Sequence, residues 1–137
     1  MTTKKNYYVC LRFKDRPELH MTVRYLKNLA PGDVADVIEI CDAVLAGRKD
    51  YAPFVPVFDL VGWYGPSHTV RVLQARTREA ALWPEWLGVL RMTLPTGQQD
   101  YDYHPHVSTK TDEKLKAEVI AVSLMCKKVE VARWDIG

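Results

Sequence analysis

The sequence lacks long apolar runs, a large net charge and a set of paired cysteines, and each absence removes a class of protein. No apolar stretch approaches the ~20 residues that a membrane-spanning helix needs, and the polar residues 1–6 contain no signal region. The formal net charge is only +2, which does not indicate a broad groove for nucleic acid. We therefore expect a cytoplasmic protein that binds neither a membrane nor long duplex nucleic acid.

The cysteines exclude a disulfide framework. Cys10, Cys41 and Cys126 match no zinc-binding spacing, and an odd number of thiols cannot pair completely within one chain. Buried free thiols in a reducing compartment are the expected state. The chain has 137 residues, of which 47% are hydrophobic and 26% charged, as in an ordinary globular protein. That length can bury a substantial core, so we predict one domain over residues 1–137.

Strand and helix patterns alternate along the chain. Segments rich in β-branched and aromatic residues predict strands at 7–13, 19–26, within 54–64, and at 69–73, 103–109, 119–125 and 129–134. The last two are expected to form a hairpin around Lys127-Lys128. Helices are predicted from Pro31 and over 77–92, with Pro84 at the start of the main helix because proline is tolerated in a first turn. A charged loop or short helix is expected at 112–118. This order predicts an α+β domain with two similar halves.

Two of the four histidines lie in matching short motifs. His20 is followed by an apolar residue and then Thr22, and His106 is followed by an apolar residue and then Ser108. Alternate residues of a strand point to the same face. Each motif therefore presents an imidazole beside a hydroxyl, with its apolar residues turned towards the core.

This pairing suits cleavage of a phosphodiester. One imidazole can remove a proton from a hydroxyl or water while the other protonates the departing oxygen, since the ordinary pKa of histidine is about 6.5. The hydroxyls can donate to nonbridging phosphate oxygens. The scheme requires no metal and no other cofactor. A metal site is the rival interpretation, because His104 and His106 could chelate together, but no third ligand has suitable spacing.

Residues 18–26 and 103–108 resemble the two motifs of the 2H phosphoesterase superfamily, which includes LigT-like 2′-5′ RNA ligases and cyclic phosphodiesterases; the resemblance includes Pro105, immediately before the second histidine. It implies a two-lobed LigT-like fold with antiparallel sheets, helices outside and a central groove. It also implies a metal-independent phosphodiesterase whose catalytic residues are His20, Thr22, His106 and Ser108.

The short chain further resembles the compact 2H enzymes with which phages oppose bacterial cyclic-oligonucleotide signalling, the anti-CBASS phosphodiesterases. That resemblance implies a viral protein acting in the host cytoplasm on the 3′-5′ bonds of cyclic di- or trinucleotides. It implies substrate contacts from Tyr8, Glu130 and Trp134, and the last two share a face if the final strand is regular. The alternatives are processing of short RNA ends and a catalytically inactive module that binds a small nucleotide.

Aromatic residues offer further possible contacts, because nucleobases stack on such rings. The candidates are Tyr7, Tyr8, Trp63, Tyr64, Tyr103 and Trp134. Trp83 and Trp86 lie in the second helical region and are expected to pack in the core.

Overall fold

A computed structural model describes residues 4–49, 53–65, 67–95, 104–109 and 114–136. Its elements, in chain order, are β1 (Lys5–Phe13), β2 (Arg16–Leu29), α1 (Pro31–Ala46), β3 (Val57–Phe58), β4 (Leu60–Tyr64), β5 (Val70–Gln74), α2 (Thr77–Ala80), α3 (Glu85–Thr93), β6 (His106–Ser108), β7 (Leu115–Lys116), β8 (Val119–Cys126) and β9 (Val129–Asp135). Within these ranges no helix has both the length and the apolar character needed to cross a membrane.

Most of the predicted elements are confirmed. The helical region 77–92 consists of a short helix and a longer one, and Pro84, predicted at the start of the main helix, is the N-cap of the longer one. The prediction of a loop or helix at 112–118 is wrong for its described part, because Leu115–Lys116 is a strand that pairs with β3. Tyr103 and residues 112–113 lie outside the described residues.

Seven strands form one antiparallel sheet in the order β4-β5-β6-β2-β1-β8-β9. The predicted α+β fold with antiparallel sheets is confirmed. The two halves of the sheet meet where β2 lies beside β6, and the ladder between these strands contains one residue pair, Met21 opposite Val107. The two lobes are therefore continuous at the strands that carry the two histidine motifs.

The hydrophobic core lies on one side of this sheet. A row of cross-strand neighbours points to that side, and each member is at most 1% exposed: Val122, Leu11, Met21, Val107 and Leu73. Helix α1 packs there through Val37, Cys41 and Leu45, and α3 through Trp86, Leu87 and Leu90. Burial of each such side chain contributes about 1.5–3 kcal/mol. The helices α1 and α3 thus pack on the same face of the sheet.

The thiols match their expected state. Cys10 and Cys41 are buried, Cys126 is half-buried, and all three are free. Burial raises the pKa of Cys10 to about 11 and that of Cys41 to about 12, so these thiols are inert at neutral pH.

Candidate active site

The pairing of Met21 with Val107 brings the two histidine motifs side by side. Both residues of this pair point into the core, each 1% exposed. Their chain neighbours point to the opposite face, because side chains alternate along a strand. The neighbours are His20, Thr22, His106 and Ser108. All four are partly or fully accessible, so they lie together on the face of the sheet away from the helices, the groove face.

The cross-strand neighbours of the two motifs also correspond. Each central apolar residue lies opposite a leucine, and each histidine lies opposite a long polar side chain. The pairs are Leu11–Met21, Arg12–His20 and Cys10–Thr22 in one half, and Leu73–Val107, Gln74–His106 and Val72–Ser108 in the other. The site is therefore built from two similar half-sites around the Met21–Val107 pair, in agreement with the predicted similar halves of the chain.

His106 is held by a backbone contact and an aromatic contact. Its Nδ1 lies 2.8 Å from the carbonyl oxygen of His104. A carbonyl oxygen can only accept, so Nδ1 carries a proton and Nε2 is the nitrogen available for proton exchange. The ring of Tyr64 meets the imidazole edge-on, with centroids 4.4 Å apart. These contacts fix both the tautomer and the orientation of the ring.

Tyr64 is itself positioned by Gln74, whose Nε2 donates to the tyrosine hydroxyl over 3.0 Å. The Gln74 side chain crosses above Gly62 on β4. A Cβ atom at Gly62 would lie 2.6 Å from Gln74 Nε2, so only glycine allows this close approach. The glycine thereby supports the chain of contacts that ends at His106.

His20 has a different set of neighbours. The centroid of the Tyr8 ring lies 5.4 Å from that of the His20 imidazole. The same ring stacks on Tyr25, with centroids 5.8 Å apart. The hydroxyl of Tyr8 donates to the carbonyl oxygen of Lys127 over 2.9 Å, which anchors the ring to the β8–β9 turn. The structure therefore places Tyr8, a predicted substrate contact, directly beside His20.

The surroundings of both imidazoles favour the neutral form of the ring in the free protein. Burial lowers the pKa of His20, and the nearby charges of Arg12 and His106 lower it further. Burial also lowers the pKa of His106, although the hydrogen bond to the His104 carbonyl acts in the opposite direction. A bound phosphate would reverse these effects, since an anion favours the imidazolium form.

These shifts predict an acidic pH optimum for kcat/KM. The rate rises as the base loses its proton and falls as the acid loses its own, which gives a bell. Since both pKa values are lowered, the maximum should lie below about pH 6.5. Initial rates at low substrate concentration across a buffer series will measure it. A flat profile would contradict histidine acid–base catalysis by this pair, and a maximum above about pH 7 would contradict the lowered pKa values.

Glu130 and Trp134 do not share a face, because the final strand is not regular. Leu124 lies opposite Ala132 while Met125 lies opposite Glu130, so Val131 is an extra residue in β9. Such a bulge reverses the alternation of side chains. Glu130 faces the groove side, where its Oε2 accepts from the hydroxyl of Ser123 over 2.9 Å.

Trp134 lies on the helix side of the sheet. It is opposite the buried Val122, packs against the core, and its Nε1 donates to Asp42 Oδ1 on α1 over 2.6 Å. We expect Trp134→Phe to lower the free energy of unfolding by about 1 kcal/mol and to leave nucleotide affinity unchanged. Urea unfolding and titration with 3′-AMP will measure both quantities. Weaker binding of 3′-AMP with an unchanged free energy of unfolding would indicate that Trp134 contacts the ligand after all.

Sequence reasoning missed two side chains beside the histidines, Arg12 and Gln74. Nothing in the sequence around either residue indicates its place in the site, because the register between two strands decides which residues become cross-strand neighbours. Tyr64 was recognised as a possible stacking residue but not as a neighbour of His106. Among the described residues, no three His, Cys, Asp or Glu side chains gather into a group that could hold a metal ion.

No family model and no curated protein sequence matches this chain. Solved structures match its fold over nearly the full length. Escherichia coli LigT complexed with 3′-AMP superimposes with a TM-score of 0.59 at 13% identity, covering 99% of both chains. A phosphoesterase gives 0.59 at 15% identity, covering 96% of this chain and 98% of its own. E. coli LigT complexed with ATP gives a TM-score of 0.59 at 15% identity, covering 98% of each chain. The chain has a LigT-like fold.

Proposed function

We propose that this protein is a metal-independent phosphodiesterase of the 2H type that acts on a small nucleotide. The observation that carries the proposal is the Met21–Val107 pair, which sets two imidazoles and two hydroxyls together on one open face. The LigT-like fold supports it, because that fold is shared with a phosphoesterase. Structures of E. coli LigT have been determined with 3′-AMP and ATP, which suggests nucleotide-sized ligands.

The two half-sites differ electrostatically, and the difference suggests a direction for the reaction. His20 is opposite a cation, Arg12, and His106 is opposite the neutral Gln74. The Arg12 charge disfavours protonation of His20, so His20 is suited to be the general base. The backbone carbonyl that accepts from Nδ1 favours the protonated form of His106, so His106 is suited to be the general acid.

In the proposed reaction, His20 removes the proton of a ribose 2′-hydroxyl, and that oxygen attacks the adjacent 3′-phosphorus. The bond from phosphorus to the 5′-oxygen breaks, and His106 gives its proton to the leaving oxygen. The products are a 2′,3′-cyclic phosphate and a free 5′-hydroxyl. Thr22 and Ser108 donate hydrogen bonds to the nonbridging oxygens as negative charge develops on them.

We propose a cyclic di- or trinucleotide as the substrate, as in anti-CBASS immune evasion. Two tyrosine rings, Tyr8 and Tyr64, lie beside the two histidines, so that bases on either side of the phosphate have a ring available for stacking.

The test is turnover on a defined panel in the presence of excess chelator. The panel contains 3′-5′ cyclic di- and trinucleotides, 2′,3′-cyclic AMP, an RNA with a 2′,3′-cyclic phosphate end, and a 2′-5′ dinucleotide. Ring opening of a cyclic oligonucleotide is expected. Turnover of only the RNA end or the 2′-5′ linkage would contradict a cyclic-oligonucleotide substrate and indicate RNA end processing instead. Ligands that bind and return intact would identify a binding module, and activity restored only by a divalent ion would indicate metal chemistry.

A further inference from the structure

Arg12 occupies a defined position next to the reacting groups. It lies on β1 directly opposite His20, so both side chains point to the groove face. Its Nη2 donates to the carbonyl oxygen of Pro17 over 3.0 Å. Its cross-strand neighbour on β8 is Ala121, whose side chain is a single methyl group. The guanidinium is therefore tethered to the hairpin, and the Arg12 side chain is only half-buried.

The charge of Arg12 is not neutralised within the part of the chain that the structure describes. No carboxylate of those residues lies within 4.0 Å of its guanidinium. Arg133, also on the groove face, differs in this respect, because it contacts Asp135 at 3.0 Å and Glu130 at 3.8 Å. A half-buried cation without a counter-charge is unfavourable, and it becomes more so beside an imidazole that must acquire a proton.

We propose that Arg12 is a phosphate-binding residue, which donates to a nonbridging oxygen of the phosphate held between His20 and His106. This inference rests on the proposed function. A guanidinium carries five N–H donors, and the Pro17 contact uses only part of them. Donors on the groove side remain for a planar, charge-assisted contact with phosphate. The phosphate in turn supplies the missing negative charge.

The approximate symmetry of the site makes this contact directional. The position that corresponds to Arg12 in the other half-site is Gln74, a neutral side chain whose amide already donates to Tyr64. Of these two corresponding positions, only the one opposite His20 carries a cation. A phosphodiester should orient its charged nonbridging oxygens towards β1, which turns its leaving oxygen towards His106. Arg12 thus selects one of the two orientations that a symmetrical pair of histidines would accept.

The test compares Arg12→Gln with Lys14→Gln, which removes one positive charge from the exposed turn of the same hairpin. Calorimetric titration with 3′-AMP and with inorganic phosphate should show about tenfold or greater weakening in Arg12→Gln and no change in Lys14→Gln. Arg12→Lys keeps the charge but not the fork geometry of the guanidinium. Its affinity for both ligands should lie between those of Arg12→Gln and Lys14→Gln. In an NMR pH titration, the pKa of His20 should rise in Arg12→Gln alone, because the neighbouring cation is gone.

The outcomes separate this inference from the proposed function. If the wild-type protein binds phosphate and Arg12→Gln binds it equally well, Arg12 is only a structural clamp on Pro17, and the inference is overturned while the phosphodiesterase proposal stands. A lower melting temperature with unchanged phosphate affinity leads to the same conclusion. If the wild-type protein binds neither 3′-AMP nor phosphate at millimolar concentration, the proposed function and the inference both fail.

Discussion

Replacing His20 or His106 by alanine is expected to lower kcat by about 10²–10⁴-fold on the substrate that the panel identifies. Each substitution removes one of the two groups that move protons, and the cross-strand neighbour of each histidine cannot take over that role. The opposite cross-strand neighbours are Arg12 and Gln74; an arginine is effectively always protonated, and a carboxamide does not titrate. Steady-state kinetics of purified variants will measure the loss.

His68→Asn is the matched control for these variants. His68 is exposed, lies in the β4–β5 turn, and has a φ of 52°, a conformation that asparagine tolerates. This control should keep wild-type kcat. The double variant His20→Ala/His106→Ala should lose little more than the worse single variant, because the two groups act as one unit. Near-wild-type turnover in both single variants, with unchanged melting temperatures, would remove the pair from the mechanism.

The hydroxyl residues are expected to have the next largest effect. Thr22→Val and Ser108→Ala should each lower kcat by about 10²-fold, the loss typical of removing one donor to developing negative charge. Both changes preserve the shape of the side chain closely. The reduction should fall mainly on kcat rather than KM, because these bonds strengthen as charge accumulates on the phosphate oxygens.

Thr93→Val is the matched control for the hydroxyl variants. Its hydroxyl donates to the carbonyl oxygen of Val89 within α3, on the helix side of the sheet. It should therefore affect melting temperature slightly and kcat not at all. If Thr22→Val and Ser108→Ala raise KM and leave kcat intact, the hydroxyls bind the ground state only, and the transition state must be stabilised by other donors.

The sequence alone determined the local features of this protein. Alternation along residues 19–23 and 106–108 was sufficient to place each imidazole and its hydroxyl on one face, because side-chain direction in a strand depends only on position in the chain. Pro31 marked the start of α1, and Lys127-Lys128 marked the β8–β9 turn. These features are encoded by neighbours in sequence, so no knowledge of distant contacts was needed.

Only the tertiary structure decided which residues meet across strands. The single Met21–Val107 pair sets the register between the lobes, and that register makes Arg12 and Gln74 the neighbours of the two histidines. The extra residue Val131 turned Trp134 away from Glu130 and onto α1. A bulge and a register are settled by how whole strands pack against one another, and the free energy of that packing is distributed over many non-local contacts. For this reason a local pattern can place a side chain on a face, but it cannot say which partner it will find there.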